Sequence, residues 1–496
     1  MKHVIVIGAG LGGLAASIRL ARAGFRVTVL EKNERVGGKM DVWEQEGYRF
    51  DTGPSLLTMP FVARELFQTV GERIEDFLDL VAVEPICRYF WPDESHLDAS
   101  GDLDVTAREI ERLSPKDAPS VRRFLAHGKQ VYDAALEPFL LSGFGSLALI
   151  DILKRLRYLP AVAKIDGMRS LNEAVEEYFV DHRIRQLFNR FATYNGSSPY
   201  LAPATLSIIP YIEFSMGGWY IRGGMYALAN ALELVARRLR VDIRTGVEVD
   251  VILRNGKAVH GVHTSTGDSL DADIVVSNAD ALYAERALLG NDVRAKSDPS
   301  LAGFVLLLGV KKKWSRLAHH TVFFSGDYRK EFDAMFNAGA LAEDPTIYVS
   351  NTSQSDPDHA PTGCSNLFVL VNAPPLPSVA SAHDGFDWTR KGREYRDLVV
   401  RILERRGLDG LAESIQTERV ITPLDFERQY NAYRGSIYGM SSNSRMAAFL
   451  RPPNKSRQYR NLYFVGGSSH PGGGIPLVLL SGRIVADMIR QDHGVS

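Results

Sequence analysis

Four glycines, Gly8, Gly10, Gly12 and Gly13, follow directly on the apolar run Val4-Ile5-Val6-Ile7. A helix is predicted over Leu14 to Ala23, closed by Gly24, and a second strand, Val27-Thr28-Val29-Leu30, leads to the acid Glu31. Strand, G-x-G-x-x-G, helix, strand, acid is the order that a dinucleotide requires. Gly8 permits the tight turn, Gly10 lets backbone approach a pyrophosphate, and Gly13 lets the helix pack against the strand. The helix N-terminus offers free N–H groups and positive partial charge to phosphates. Glu31 can accept hydrogen bonds from ribose hydroxyls, and its charge disfavours a 2′-phosphate.

Just beyond the acid comes Lys32-Asn33-Glu34-Arg35-Val36-Gly37-Gly38-Lys39. This second glycine pair resembles the extended fingerprint of FAD enzymes of the glutathione-reductase structural class. The resemblance implies close backbone approach at Gly37 and Gly38 to the flavin side of the cofactor, with Arg35 and Lys39 near its phosphates. Lys32, beside Glu31, joins the cofactor-binding group. NAD-only dehydrogenases have no need of the second pair.

Two distant stretches have the character of returning nucleotide-domain sequence. Gly223-Gly224-Met225 opens an amphipathic helix with Leu228, Ala231, Leu232, Val235 and Leu239 on one face. Strands over Val241 to Ile243 and Val247 to Leu253, a turn at Asn255-Gly256 and a strand from Val259 to His263 predict a small β-meander. Ile274-Val275-Val276-Ser277-Asn278-Ala279-Asp280 reads as a buried strand ending in a polar turn. Near the C-terminus Leu462 to Val465 forms a strand that breaks into Gly466-Gly467 and then Gly472-Gly473-Gly474-Ile475-Pro476. An apolar helix is expected from near Leu477 to about Ile489. Its N-terminus is aimed at something that needs backbone approach, with Gly466 near a ribityl chain and Gly474, Ile475 and Pro476 near an isoalloxazine ring.

These motifs, with Asp51-Thr52-Gly53-Pro54, the segment Gly217 to Gly224, Ser277 to Asp280, Arg451-Pro452 and His470 to Pro476, resemble the bacterial carotenoid (phytoene-type) desaturases in order and spacing across essentially the whole chain. The resemblance implies FAD as cofactor, Val249 where main chain meets the adenine, and desaturation of phytoene, dehydrosqualene or a later carotenoid. Thr193 to Tyr200 is also similar to hydroxycarotenoid desaturases and aldehyde-forming relatives. A polyene has no acidic C–H, so the implied chemistry is hydride loss from an allylic carbon to flavin N5 and then proton loss to a weak base or water. No strong catalytic acid or base is required, and the catalytic residue is left unassigned. Glu213 is a candidate to face the substrate tunnel, or to make a salt bridge between lobes. Trp219 and Tyr220 line the polyene channel or pack a junction. His470 is a proton acceptor or a turn histidine bonded to backbone.

The expected fold class is α/β, a Rossmann-like FAD-binding domain of the glutathione-reductase class with a mixed α+β substrate lobe. The FAD domain is discontinuous, over 1–75, 225–290 and 455–496; residues 76–224 and 291–454 form the substrate lobe. A chain of 496 residues is too long for one simple core. The formal net charge of -1, with no basic block, argues against nucleic acid. Only Cys87 and Cys364 occur, so no disulfide framework or CxxC pair is expected, in keeping with a reducing cytoplasm. Met1-Lys2-His3 runs straight into a strand, predicting no secretory leader. His319-His320 and the other histidines lack ligand spacing, so no metal is expected.

The apolar run Pro138 to Ile150 is followed by Asp151 and then by Lys154, Arg155, Arg157 and Tyr158. It is too short to span ~30 Å of hydrocarbon as a helix but suits an anchor lying in the interface, or a buried helix with a basic end. A peripheral membrane location follows for a lipid substrate, with oxygen or a quinone as electron acceptor. Rival readings are a carotenoid isomerase or terminal oxygenase, an amine-oxidase-like flavoenzyme, and a flavin- and lipid-binding protein without turnover. The oligomeric state is open.

Overall fold

The computed structural model describes residues 1–136, 140 and 141, 165–293, 295, 298–378, 387–444 and 451–495. A five-stranded, all-parallel sheet runs in the order Leu462–Phe464, Ile274–Ser277, His3–Ile7, Arg26–Leu30, Asp242–Arg244. His3–Ile7 at its centre is a continuous Val/Ile run, the signature of a parallel strand covered on both faces. Strands from the head, the middle and the tail of the chain therefore meet in one sheet. The helix Leu11–Arg22 leaves the end of the central strand and packs into a core with Ala227–Arg238 and the tail helix Ile475–Asp492.

Several boundaries differ from the sequence reading. The first helix begins at Leu11, inside the glycine motif, because the glycines of its first turn are folded as helix. The tail helix starts at Ile475 and runs to Asp492; Gly474, at φ +104°, turns the chain into it, and Pro476 sits in the first turn, where a missing N–H costs nothing. The meander is Val249–Asn255, Ala258–Thr264 and Ser269–Asp271, antiparallel throughout.

A second sheet has seven strands in the order Ile415–Ile421, Ala302–Val310, Ser365–Ala373, Ile347–Ser350, His320–Phe323, Cys87–Phe90, His96–Ala99. Only the pairing of His320–Phe323 with Cys87–Phe90 is parallel. Ala302–Val310 is buried along its whole length, as a central strand between two partners must be. The helices Ala118–Ala135, Leu171–Tyr178 and His182–Asn189 contribute to an aromatic core in which the Phe188 ring meets those of Phe124, Phe179 and Phe214. Among the described residues no helix is long and apolar enough to cross a membrane. The proposed anchor from Pro138 through Tyr158 lies outside the described residues, save Leu140 and Leu141, which pack against the first core.

Candidate active site and nucleotide cradle

Helices Leu11–Arg22 and Ile475–Asp492 both open, at their N-termini, onto one cavity of about 490 Å3. Neither N-cap, Gly10 or Gly474, supplies a side-chain hydrogen bond, so the first-turn N–H groups are left for a ligand. The Asn278 side chain fills the space among three glycines. A Cβ at Gly10 would stand 2.7 Å from its Nδ2, and Cβ atoms at Gly12 and Gly466 would stand 2.8 and 2.6 Å from its Oδ1. The floor of the cavity is thus backbone plus one carboxamide, the surface a pyrophosphate needs for close approach.

Glu31 is buried, yet lines the same cavity. Ala9 N–H donates to its Oε2 at 2.7 Å, while the backbone N–H and Nδ2 of Asn33 both donate to Oε1 at 2.9 Å. A carboxylate has about four acceptor positions, so these three bonds fix the side chain and leave room for a ribose hydroxyl. Val249 lines this end as well. Lys32 reaches across it to the Arg428 carbonyl at 2.8 Å and to Asn431 Oδ1 at 3.0 Å.

Lys39 Nζ lies further in, donating to the carbonyls of Ser436 at 3.2 Å and Ile437 at 2.5 Å. Burial pulls its pKa down to about 8, against the opposing attraction of Asp280. An anionic ligand would find a cation there that its own charge stabilises.

The far half of the cavity is walled by Leu56, Ile86, Val305, Val322, Phe368 and Leu370. Into this apolar space comes a set of polar side chains: Arg190, Tyr194, Glu213, His320 and Tyr348. Tyr194 Oη donates to Glu213 Oε2 at 2.5 Å, and Arg190 donates to the hydroxyls of Tyr89 at 3.0 Å and Tyr194 at 3.4 Å while lying over both rings. Burial raises the Glu213 carboxyl above its ordinary range, with Arg190 pulling the other way. Burial also drives His320 well below the usual imidazole value.

Fourteen of the residues singled out in the sequence line this one cavity: Gly8, Gly10, Gly12, Glu31, Lys32, Gly37, Gly38, Lys39, Val249, Glu213, Gly466, Gly474, Ile475 and Pro476. Five do not. Gly13 lies behind the floor, where a Cβ would collide with the Gly8 carbonyl oxygen, so its role is helix–strand packing. Arg35 is exposed, donates to the Val42 carbonyl at 3.3 Å, and lies off the cavity wall rather than by the phosphate floor.

Trp219 and Tyr220 form a strand with Leu80–Ala82. Trp219 Nε1 donates to the Met216 carbonyl at 2.9 Å, and the Tyr220 hydroxyl donates to Asp356 at 2.8 Å. Neither lines the cavity described above, and both make packing contacts. His470 is buried; its backbone N–H donates to Pro452, and its carbonyl accepts from Asn454 Nδ2 at 2.7 Å and Ser481 Oγ at 2.9 Å. Among the described residues Glu213 makes no salt bridge, its bonded neighbour being Tyr194. The residues that sequence reasoning did not single out as site residues are Asn278, Arg190, Tyr194, His320 and Tyr348. Tyr194 and Glu213 are 19 positions apart and meet only in the fold.

Residues 11–490 match the family described as flavin containing amine oxidoreductase. Solved structures share this fold over almost the whole chain. An oxidoreductase from Methanosarcina mazei aligns with a TM-score of 0.64 at 17% identity, covering 98% of this chain and 100% of that one. Cyclohexylamine oxidase from Brevibacterium oxydans IH-35A gives 0.62 at 15% identity, covering 99% of each. The chain belongs to the flavin-containing amine oxidoreductase family, and it is an FAD-dependent oxidoreductase.

Its curated relatives narrow the family further. It is 39% identical to a 4,4'-diapolycopene oxygenase of Methylomonas sp., over 99% of this chain and 98% of the relative. It is 38% identical to a 1-hydroxycarotenoid 3,4-desaturase of Flavobacterium sp. (strain P99-3), over 99% of both. It is 35% identical to a 4,4'-diaponeurosporene oxygenase of Staphylococcus aureus (strain MW2), over 98% of both. The resemblance carried by the motifs holds: this chain is a member of the family to which these carotenoid enzymes belong.

Proposed function

We propose that this chain is an FAD-dependent carotenoid desaturase that takes hydrogen from allylic carbons of a long polyene. The observation that carries the reading is the continuity of one cavity. It runs from Glu31 and the glycine floor to the apolar walls at Val305, Val322 and Phe368, so a nucleotide site and a greasy site share one space. The residues placed to hold FAD are Glu31 at the ribose, Gly10, Gly12 and Asn278 at the pyrophosphate, and Gly466 with Gly474, Ile475 and Pro476 toward the flavin ring. Lys39 supplies positive charge. Bound FAD supplies the hydride acceptor.

The chain's own part is then to orient an allylic C–H and exclude water. Leu56, Val322 and Phe368 do this by shape and apolarity. In this reading residues 1–75, 225–290 and 455–496 form the FAD lobe and the remainder forms the substrate lobe. The protein works at a membrane surface, since its substrate resides in lipid, and passes electrons to oxygen or a quinone. A terminal oxygenase is the second reading, favoured by the names of two of the relatives.

Expression in a host that makes phytoene or dehydrosqualene separates the two. Desaturation gives a red-shifted polyene lighter by two hydrogens per step, whereas a gain of oxygen mass overturns it in favour of the oxygenase.

A further inference from the structure

Arg451 is a buried cation held only by neutral groups. It is 8% exposed. Its Nη1 donates to the carbonyls of Tyr438 at 3.0 Å and Gly467 at 3.1 Å, and its Nη2 donates to Asn195 Oδ1 at 2.5 Å. Among the described residues no carboxylate pairs with it: burial pulls its pKa down to about 10, with no acid drawing it back up. It is a cation at neutral pH all the same. The other buried cations of this region differ, since Lys39 has Asp280 near it and Arg190 has Glu213. Charges that a fold buries are as a rule paired, because an uncompensated one is costly.

The guanidinium lies against the turn that opens the tail helix. Tyr438 and Gly467, whose carbonyls it holds, both line the cavity. A Cβ at Gly472 would stand 2.9 Å from its Nε, and a Cβ at Gly467 would stand 3.4 Å from the Gly473 Cα. Gly473 leads into Gly474, the N-cap of the helix Ile475–Asp492. The charge therefore sits one residue's thickness behind the cavity wall, where the helix N-terminus adds positive partial charge of its own. In so buried a setting water screens it little, and its field reaches into the cavity. Its hydrogen bonds go to none of Gly10, Gly12 and Asn278, the phosphate floor.

We propose that Arg451 is the counter-charge for the negative charge that hydride transfer leaves on the flavin ring, and that it raises the reduction potential of bound FAD. A hydride carries two electrons and one proton to a neutral ring, so the ring gains one negative charge unless a second proton follows. A fixed cation close by favours that charged state over the neutral oxidised one and shifts the equilibrium toward reduction. Arg451 acts across the backbone and touches neither ring nor substrate, so it tunes the site rather than catalysing. The inference rests on the ring lying at Gly474 to Pro476, as proposed above.

The potential is measured by equilibrating the flavin-loaded protein with a reference dye under anaerobic reduction. Arg451→Met should cut the equilibrium for two-electron reduction at least tenfold, a fall of about 30 mV, while Arg451→Lys, which keeps the charge, should retain most of it. In weakly acidic buffer, where free FAD takes up two protons on reduction, the wild type should take up one, a slope of about 30 mV per pH unit. An unchanged potential in Arg451→Met overturns the proposal, even if FAD is held more weakly, because the charge then serves the phosphates or the turn. A two-proton slope in the wild type also overturns it. If Arg451→Met does not fold or hold flavin, the wild-type slope decides. A wild type that binds no FAD defeats the flavin site itself.

Discussion

Gly482 lies directly against Ala15: a Cβ at position 482 would stand 2.7 Å from the Ala15 Cβ and 2.9 Å from the Ala16 amide nitrogen. The tail helix and the first helix are therefore nearly in backbone contact. That contact lets both helix N-termini reach the same cavity from opposite ends of the chain. Gly482→Leu should force the helices apart, at a cost of about 1–3 kcal/mol for an overpacked core. Thermal unfolding of the flavin-free protein reads the stability change, and the flavin content of the purified variant should fall with it.

Asp51 makes a second long-range tie. Its carboxylate accepts from the N–H of Met225 at 2.8 Å and of Tyr226 at 3.1 Å, anchoring the start of the helix Ala227–Arg238. Asp51→Ala leaves two buried donors without partners and should destabilise the protein by roughly 2–4 kcal/mol. Asp51→Asn keeps one acceptor and should lose about half as much, as measured by denaturant unfolding.

The cradle was legible in the sequence because its parts are local. Gly8 to Gly13, Glu31, and the tail from Gly466 to Pro476 each carry a turn and a helix start within a few residues, and glycines there report backbone approach directly. The assembly of the three stretches followed from their common strand–turn–helix pattern, which the parallel sheet requires. Arg35, expected near the phosphates, is exposed and off the cavity wall, since a charge near a motif says nothing about which way a turn points it. Tyr220 was open between channel wall and junction from its aromatic type alone; only the fold pairs it with Leu80–Ala82 and bonds it to Asp356. The polar cluster was mostly hidden. Arg190, Glu213, His320 and Tyr348 come from four separate stretches brought together by helix packing and a seven-stranded sheet, and no spacing rule links them. Only Glu213 was singled out, and its actual bonded partner, Tyr194, was not.

Lys39 should make flavin affinity pH-dependent. With its pKa drawn down to about 8 by burial, the ammonium is present below that pH and lost above it. An anionic pyrophosphate gains from the charge only while it exists, so affinity for FAD should fall as pH rises through about 8. Titration of the flavin-free protein across this range should show the fall, and Lys39→Met should bind more weakly at low pH and lose most of the dependence.

Glu331 should make stability, rather than affinity, depend on pH. It is buried, and Ser325 Oγ and Thr346 Oγ1 both donate to its Oε2 at 2.8 Å. Burial nevertheless raises its pKa to about 7. A folded pKa above the unfolded one means that folding takes up a proton, so this contribution is complete below about pH 4 and is lost as pH rises through about 7. Glu331→Gln should therefore be neutral near pH 5 and more stable than the wild type near pH 8, by about 1–3 kcal/mol. Thermal melts at the two pH values provide the comparison.

On the proposed function, FAD and a polyene occupy adjoining parts of one cavity and exchange hydride there. The direct measurement is anaerobic mixing of the oxidised, flavin-loaded protein with a carotenoid substrate in lipid vesicles, following the flavin and polyene absorption together. The yellow flavin band should bleach in step with a red shift of the polyene, one two-electron reduction per double bond formed. A flavin that stays oxidised while the polyene is bound would contradict it.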